Sequence, residues 1–164
     1  MGPSNEWEIR VGGRTKPELL AELLHHNVML NEYARELFAD PMFTAAQTPR
    51  TVRVRQVSLP DLGLSAGGTF DEIVAAAACC DLQLCPLEVA PYLRLAYLDQ
   101  PVGPYLTVAS PQPRPGTESP NGFYLRHLDD GLWLRGYEAG PENVYAPDFS
   151  DFVFEVSGPC RPAR

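Results

Sequence analysis

The side chains that could do chemistry are densest in residues 85–101, which read CPLEVAPYLRLAYLDQP. Carboxylates, an arginine, tyrosines and an amide stand there among apolar residues. Two carboxylates beside an arginine can do general acid–base work or bind a polar ligand. An aromatic residue further along the chain could add a docking surface. The candidate ligand- or partner-binding residues are therefore Glu88, Arg94, Tyr97, Asp99, Gln100 and Trp133.

The same residues also allow a structural interpretation. In that case Arg94 pairs with Glu88 or Asp99, and Gln100 caps a loop. A buried or half-buried ion pair says little about function by itself. No Ser–His or Cys–His arrangement at diagnostic spacing accompanies these residues, and the chain has three histidines. Catalytic residues therefore stay unassigned, and both interpretations remain open.

Metal and cofactor motifs are missing from the sequence. The four cysteines form no C-x-x-C pair, so they do not predict a zinc site. The patterns G-x-x-x-x-G-K-[ST] and G-x-G-x-x-G are absent, which argues against a P-loop or a Rossmann dinucleotide site. We predict no metal and no cofactor. We interpret the adjacent Cys79 and Cys80, in an apolar run, as small buried thiols.

The charge balance limits the choice of partner. Thirteen Lys and Arg residues stand against 21 Asp and Glu, for a net charge of −8. Because phosphate binding depends on basic residues, nucleic acid is disfavoured as a partner. The N-terminal residues do not resemble a signal peptide, and no apolar run reaches membrane-spanning length. We therefore expect a cytoplasmic protein without a membrane contact, whose partner is a protein or a small polar ligand.

Three helices are predicted before the candidate site. Thr15 and Glu18 form a capping box ahead of a leucine-rich helix, and Asn31 caps a second helix that Pro41 ends. A tight joint between them predicts a helical hairpin. Thr69, three residues before a glutamate, begins the third helix with another capping box.

Strands dominate the rest of the chain. Clean alternation predicts a half-buried strand at TVRVRQVSL, with its arginines on one face. Further strand candidates, separated by Pro, Gly and Asp, are YLRLAYL, PYLTVAS, FYLRHL, LWLRGY and DFVFEV. The turn in HLDDGLW predicts a hairpin that sets His127 opposite Trp133 and Leu125 opposite Arg135.

These elements predict an α+β fold, with an N-terminal helical hairpin and one further helix packed on a mostly antiparallel sheet. The length suits a single globular domain over residues 1–164. We expect residues 1–13, with a short strand at WEIRV, to be a flexible lead-in and residues 158–164 a flexible tail.

Residues 85–101, followed by GLWLRGY and APDFSDFVFEV, resemble a group of small uncharacterised bacterial proteins, some of which carry the label helicase. The resemblance covers residues 50–156 and is most specific at 85–101. It implies a self-standing bacterial domain and no activity. The helicase label gains no support from this chain, which lacks a P-loop and is too short for paired motor domains.

Three functional hypotheses follow from different classes. The first, which we favour, is a non-catalytic protein- or ligand-binding module. The second is a small hydrolase-like enzyme that uses Glu88, Asp99, Arg94 and Tyr97. The third is a single-stranded nucleic-acid-associated protein, with tyrosine or tryptophan for stacking and a basic sheet face formed by Arg53, Arg55, Arg94, Arg126 and Arg135.

Overall fold

A computed structural model describes residues 5–148 and 150–157 of the chain. Its helices are α1 (Lys16–His25), α2 (Glu32–Ala39), α3 (Phe70–Ala78) and α4 (Val89–Ala96), with a short 3-10 helix at Pro60–Leu62. Its strands are β1 (Glu6–Val11), β2 (Met29–Leu30), β3 (Arg50–Ser58), β4 (Gly68–Thr69), β5 (Leu82–Gln83), β6 (Leu106–Val108), β7 (Gly122–Leu128), β8 (Gly131–Tyr137), β9 (Val144–Tyr145) and β10 (Asp151–Val156). The fold is α+β.

The main sheet is mixed and mostly antiparallel. Its strand order is β1-β3-β10-β6-β7-β8-β2, and β5 adds a short pairing to β10. The β10–β6 and β2–β8 pairs are parallel, and the other pairs are antiparallel. The predicted strands that correspond to β3, β6, β7, β8 and β10 are confirmed, and β1 occupies the WEIRV segment of the lead-in. The predicted tail, 158–164, lies outside the described residues.

The sheet buries a different set of side chains on each face. On the inner face, the residues of one core cluster pack under α1, α2 and α4. On the outer face, a second cluster joins Phe152 and Phe154 of β10 to Ile73 and Ala77 of α3. The helices that pack on β7 and β8 are α2 and α4, and both lie on the inner face. The outer face of the β7–β8 hairpin is therefore left for side chains to cover.

The predicted caps of the first two helices are confirmed. Thr15 and Glu18 form the capping box of α1, and the Asn31 side chain accepts a hydrogen bond from the Ala34 N–H at the start of α2. The helical hairpin is not confirmed, because β2 lies between the two helices and pairs with β8. The Asn31 amide also bonds the backbone of Gly136 in β8, at 3.0 and 2.8 Å. This contact fixes α2 to the sheet instead of to α1.

The strand predicted at YLRLAYL is wrong, because Val89–Ala96 forms helix α4. Pro91 is the third residue of this helix. At that position the missing N–H has no intrahelical partner to lose, so proline is tolerated. The helix buries Leu93 and Arg94 completely against the sheet. This burial overrides the local β pattern.

The β7–β8 hairpin forms as predicted, but its register differs by one residue. Asp129 and Asp130 alone make the turn, so Leu128 pairs with Gly131 and Leu125 with Leu134. The predicted pairing of Leu125 with Arg135 is wrong because it would turn a charged residue toward the inner core. A one-residue slip moves every side chain of a strand to the other face.

Two further expectations have outcomes in the structure. Cys79 and Cys80 are exposed, so their assignment as buried thiols is wrong. They follow Ala78, the last residue of α3, and have therefore left its buried face. Among the described residues, no helix combines the length and apolar character that crossing a membrane requires.

Candidate functional site

Arg94 is a buried cation whose hydrogen-bond partners, among the described residues, include no carboxylate. Its side chain projects from α4 against the β7–β8 hairpin and is 0% exposed. It donates hydrogen bonds to the Gln100 side-chain oxygen at 2.7 Å, to the Trp133 carbonyl at 3.2 Å and to the Tyr97 carbonyl. A longer contact of 3.5 Å reaches the Arg126 carbonyl. These acceptors are neutral oxygens, so the predicted ion pair with Glu88 or Asp99 is not formed.

The electrostatics of Arg94 follow from this burial. No ion pair in the described part of the chain includes it. Burial lowers the pKa of the guanidinium to about 10. An arginine at that pKa is still charged at neutral pH. Carbonyl and amide oxygens are therefore the groups that stabilise the buried charge of Arg94. The Arg94 Nε has no hydrogen-bond partner among the described residues.

Gln100 links Arg94 to the sheet. Its side-chain nitrogen donates to the Leu125 carbonyl at 3.2 Å, and its backbone carbonyl contacts the His127 ring at 2.5 Å. The neighbouring Tyr97 ring packs on Trp7, with the ring centres 4.9 Å apart. Burial, and secondly the Asp99 carboxylate, raise the pKa of Tyr97. Arg94, Tyr97 and Gln100 thus meet in a packed joint, and Tyr97 and Gln100 also line a groove of about 200 Å³ beside it.

Glu88 lies apart from this joint. It precedes α4, and its carboxylate accepts a hydrogen bond from the Ala46 N–H at 3.0 Å. It lines a groove of about 360 Å³ with Phe43 and Pro113, among other residues. Asp99 is exposed beyond the other end of the helix. The candidate carboxylates therefore do not flank one reaction centre.

The remaining candidate, Trp133, belongs to a surface that we call the aromatic–arginine face. This face lies on the outer side of the β6–β8 region and consists of Tyr105, Tyr124, Arg126, Trp133 and Arg135. Cross-strand pairing sets Tyr124 opposite Arg135 and Arg126 opposite Trp133. Directly paired residues share a sheet face. All five side chains are half-buried.

Stacking contacts order the aromatic–arginine face. The Arg135 guanidinium lies 5.0 Å from the Trp133 ring centre and 5.8 Å from that of Tyr124. The Arg126 guanidinium lies 5.9 Å from the Tyr105 ring centre. Tyr105 and Tyr124 contact edge to face at 5.4 Å. Such contacts place both guanidinium groups above rings, where a cation is attracted to the ring face.

Neither arginine of this face, Arg126 or Arg135, forms an ion pair within the described ranges. In those ranges the Nε of each is also buried without a hydrogen bond. Asp130, the nearest acid in the hairpin turn, accepts a hydrogen bond from the Trp133 indole at 2.9 Å. The face therefore presents positive charge on an acidic protein.

Arg53 and Arg55 of β3 occupy the same side of the sheet, as the nucleic-acid hypothesis required, but both pair with one carboxylate. The Glu6 carboxylate bonds Arg53 at 2.5 Å and Arg55 at 3.0 Å. The hydrophobic cluster on the outer face, which contains Phe152 and Phe154, lies between these two arginines and the aromatic–arginine face. Since Arg94 is buried under the opposite face, the five arginines form no continuous basic surface.

No protein-family model, no curated protein and no solved structure matches this chain. In the ranges that the structure describes, no group of three or more His, Cys, Asp or Glu side chains could hold a metal ion. Function is therefore inferred from the geometry of the side chains themselves.

The candidate list from the sequence missed most of the aromatic–arginine face. It included Trp133, while Arg126 and Arg135 entered only through the nucleic-acid hypothesis. The signal was present as alternating aromatic and arginine residues in FYLRHL and LWLRGY. With the correct hairpin register, that alternation would have placed Tyr124 beside Arg135.

Proposed function

We propose that the protein is a non-catalytic binding module, and that its binding surface is the aromatic–arginine face. The stacking of Arg126 and Arg135 on rings, without a carboxylate, carries this proposal. A guanidinium held over a ring keeps its terminal N–H groups available for a carboxylate or a phosphate, even where its Nε is buried. Its position is also restricted before binding, which reduces the entropy cost of holding a partner.

We infer that the partner is a protein segment that presents carboxylates together with apolar side chains. The segment before Tyr105 exposes Val102 by 56% and Leu98 by 39%. The Gly103 N–H donates to the His127 carbonyl, so this segment lies beside β7. An apolar rim next to two cations suits a protein surface.

A nucleic-acid partner is less well supported. The net charge of −8 opposes a polyphosphate, which carries a charge on every nucleotide, more strongly than a segment with a few carboxylates. The guanidinium groups also lie over the rings on which bases would stack. The hydrolase hypothesis has less support still, because Glu88 faces a different groove from Tyr97 and Gln100.

Tryptophan fluorescence offers a direct test. The chain has two tryptophans, so Trp7→Phe leaves Trp133 as the sole reporter on the aromatic–arginine face. A short peptide of alternating Glu and Ala residues is titrated into this variant, with a Gln-Ala peptide as the matched uncharged probe. We expect saturable quenching by the Glu peptide alone, and weaker binding as salt screens the charges.

The specificity of that signal is tested with arginine variants. Arg135→Gln should weaken binding of the Glu-Ala peptide by about tenfold, since a charge-assisted hydrogen bond is lost. Arg35→Gln, at an exposed position of α2, is the matched control and should leave binding unchanged. Equal binding of both peptides, or no effect of Arg135→Gln, would contradict the proposal. Saturable binding of an oligodeoxythymidine but not of the Glu peptide would replace it with the nucleic-acid hypothesis.

A further inference from the structure

The two ends of the main sheet differ in how much strand they leave open for pairing. At one end, β2 has two residues and lies beside β8. At the other end, β1 has six residues, and among the described strands it pairs with β3 alone. We call the open side of β1, from Glu6 to Val11, the β1 edge. Natural proteins usually shorten, interrupt or cover such an edge, because another strand can pair with it.

The ladder between β1 and β3 shows which backbone groups are already used. The Gln56 N–H donates to the Asn5 carbonyl at 2.8 Å, so these residues form a hydrogen-bonded pair of the antiparallel ladder. Hydrogen-bonded pairs alternate with non-hydrogen-bonded pairs along such a ladder. Trp7, Ile9 and Val11 therefore also direct their backbone N–H and C=O groups to β3.

Glu6, Glu8 and Arg10 direct their backbone N–H and C=O groups to the β1 edge instead. Within residues 5–148 and 150–157, no strand pairs with β1 on that side and no loop backbone donates to or accepts from these groups. The side chains of Glu8 and Arg10 are exposed, and neither forms an ion pair with another described residue. The edge thus has free backbone groups and one free charge of each sign.

A second copy of β1 matches the charges of this edge in one register. In a two-fold antiparallel pairing, the residues with outward backbone groups face one another. A pairing centred on Trp7 sets Glu6 opposite Glu8, and a pairing centred on Glu8 or on Arg10 sets that residue opposite itself. A pairing centred on Ile9 sets Glu8 of each copy opposite Arg10 of the other. Opposite charges in direct cross-strand pairs are stabilising and like charges are destabilising.

The surroundings of β1 leave space for this second strand. A groove of about 580 Å³ lies between β1 and α4, and its apolar lining includes Ile9, Leu95 and the exposed Ala96. The chain turns out of the strand at Gly12, which has a φ of 91°. The pairing centred on Ile9 uses residues 7–11 of both copies, so it ends where this turn begins.

We propose that the protein forms a two-fold symmetric dimer in which the β1 strands of two copies pair antiparallel, centred on Ile9, and join the two sheets. Each Glu8–Arg10 pair between the copies exchanges two backbone hydrogen bonds and brings opposite charges together. A contact built on one short strand is small beside that of an obligate dimer. The dimer is therefore weak, and its population depends on protein concentration.

Sedimentation equilibrium of the full chain is the first test. Concentrations from about 1 μM to about 1 mM span the range of weak association. We expect a monomer at the low end and a dimer at the high end. A monomer at every concentration would overturn the proposal.

Amide hydrogen exchange, followed by NMR, tests whether the contact is at the β1 edge. The Ile9 N–H is bonded to β3 and should be protected at all concentrations. The N–H groups of Glu8 and Arg10 should become protected only as the dimer forms. Their protection at the lowest concentration would show that another part of the same chain covers the edge. Their rapid exchange in the dimer would place the contact elsewhere, and either result would overturn the proposal.

Charge reversal tests the register. Glu8→Arg and Arg10→Glu each convert both cross-strand pairs into like-charge pairs, so each should weaken dimerisation by about tenfold. An equal mixture of the two variants again sets opposite charges face to face, and the double variant Glu8→Arg/Arg10→Glu does so within one chain. Both should recover the dimerisation of the parent.

Arg35→Glu, at an exposed position of α2, is the matched control and should leave dimerisation unchanged. Circular dichroism of each variant confirms that it is folded, and the double variant retains the test if a single reversal unfolds the chain. Unchanged dimerisation in both single variants would overturn the proposal. So would a mixture, or a double variant, that associates no more strongly than the single variants.

Discussion

Arginines lie on both sides of the β7–β8 hairpin, and the two sides compensate their charges differently. Beneath the hairpin, Arg94 is fully buried and bonds a side-chain amide and backbone carbonyls. Above it, Arg126 and Arg135 are half-buried and stacked on aromatic rings. Within the described residues neither side uses a carboxylate, so the difference lies in whether the N–H donors are occupied.

An arginine whose N–H groups are already hydrogen-bonded inside the protein has a structural role. An arginine whose N–H groups are still available can bind a partner. Arg94 joins the end of α4 to two strands, because its acceptors belong to Tyr97, Gln100 and Trp133. Removing it would leave several buried oxygens without donors. In the part of the chain that the structure describes, Arg126 and Arg135 donate to no buried acceptor, so their removal leaves none unsatisfied. The comparison therefore predicts opposite effects of substitution on stability and on binding.

The largest effect is expected for Arg94→Met. The apolar chain fills similar space but leaves buried acceptors unsatisfied, which should reduce the free energy of unfolding by about 3 kcal/mol. Urea denaturation followed by circular dichroism measures this change. Arg35→Met is the exposed control and should stay within about 0.5 kcal/mol of the parent. A stable Arg94→Met protein would end the structural assignment and reopen a functional role for the buried cation.

Gln100→Leu should have the next largest effect. It removes the acceptor of Arg94 and the donor to the Leu125 carbonyl, so we expect a loss of about 2 kcal/mol in the same denaturation experiment. Combined with Arg94→Met, it should cost less than the sum of the two single changes, because both act on one network. Full additivity would show that the two side chains act independently.

Arg135→Gln tests the other side of the hairpin. Two stacking contacts are lost, which should lower stability by only about 1 kcal/mol. Binding of the Glu-Ala peptide should fall at the same time, whereas Gln100→Leu should leave the affinity of the folded protein intact. If Arg135→Gln destabilised the fold as strongly as Arg94→Met, the distinction between the two sides would fail.

The smallest effect concerns an arginine pair on the outer face that does have a carboxylate. The hydrogen bond from Arg53, followed in size by that from Arg55, holds the pKa of Glu6 below its ordinary value of 4.5. A lowered pKa means that the ion pair stabilises the fold above pH 4.5, and that this contribution is lost as the pH falls through the lowered pKa. Being near the surface, it should amount to less than about 1 kcal/mol.

Glu6→Gln should therefore flatten the acid limb of the stability curve, measured by thermal unfolding at a series of pH values. Glu118→Gln, on an exposed loop, provides the control and should keep the parent curve. An acid limb that is identical in Glu6→Gln and the parent would show that this ion pair does not contribute.

Local chemistry made part of this fold predictable. The capping boxes at Thr15 and Thr69 formed because each satisfies backbone donors within one turn of helix. The alternation in β3 correctly indicated that Val52 and Val54 are buried and that Arg53 points to the other face. These features depend on residues within a few positions of one another, so they can be inferred without knowing the rest of the chain.

The candidate site was less predictable, because its geometry depends on long-range packing. The structural interpretation paired Arg94 with Glu88 or Asp99, and this was wrong because the segment was assigned to a strand and not to helix α4. Trp133 was chosen as a candidate because it is a large aromatic residue. That Tyr124 and Arg135 lie beside it follows from the hairpin register, which short-range turn signals do not determine.

The sequence by itself determined the α+β class, the starts of α1, α2 and α3, and the alternation of the main strands. Only the tertiary structure decided that residues 89–96 are helical, that α2 packs on β8, and that Arg94 lies among carbonyls. The physical reason is that capping and alternation act within one element. The register of β7–β8 and the conformation of α4 depend on which side chains from distant parts of the chain are buried together when the helices pack on the sheet.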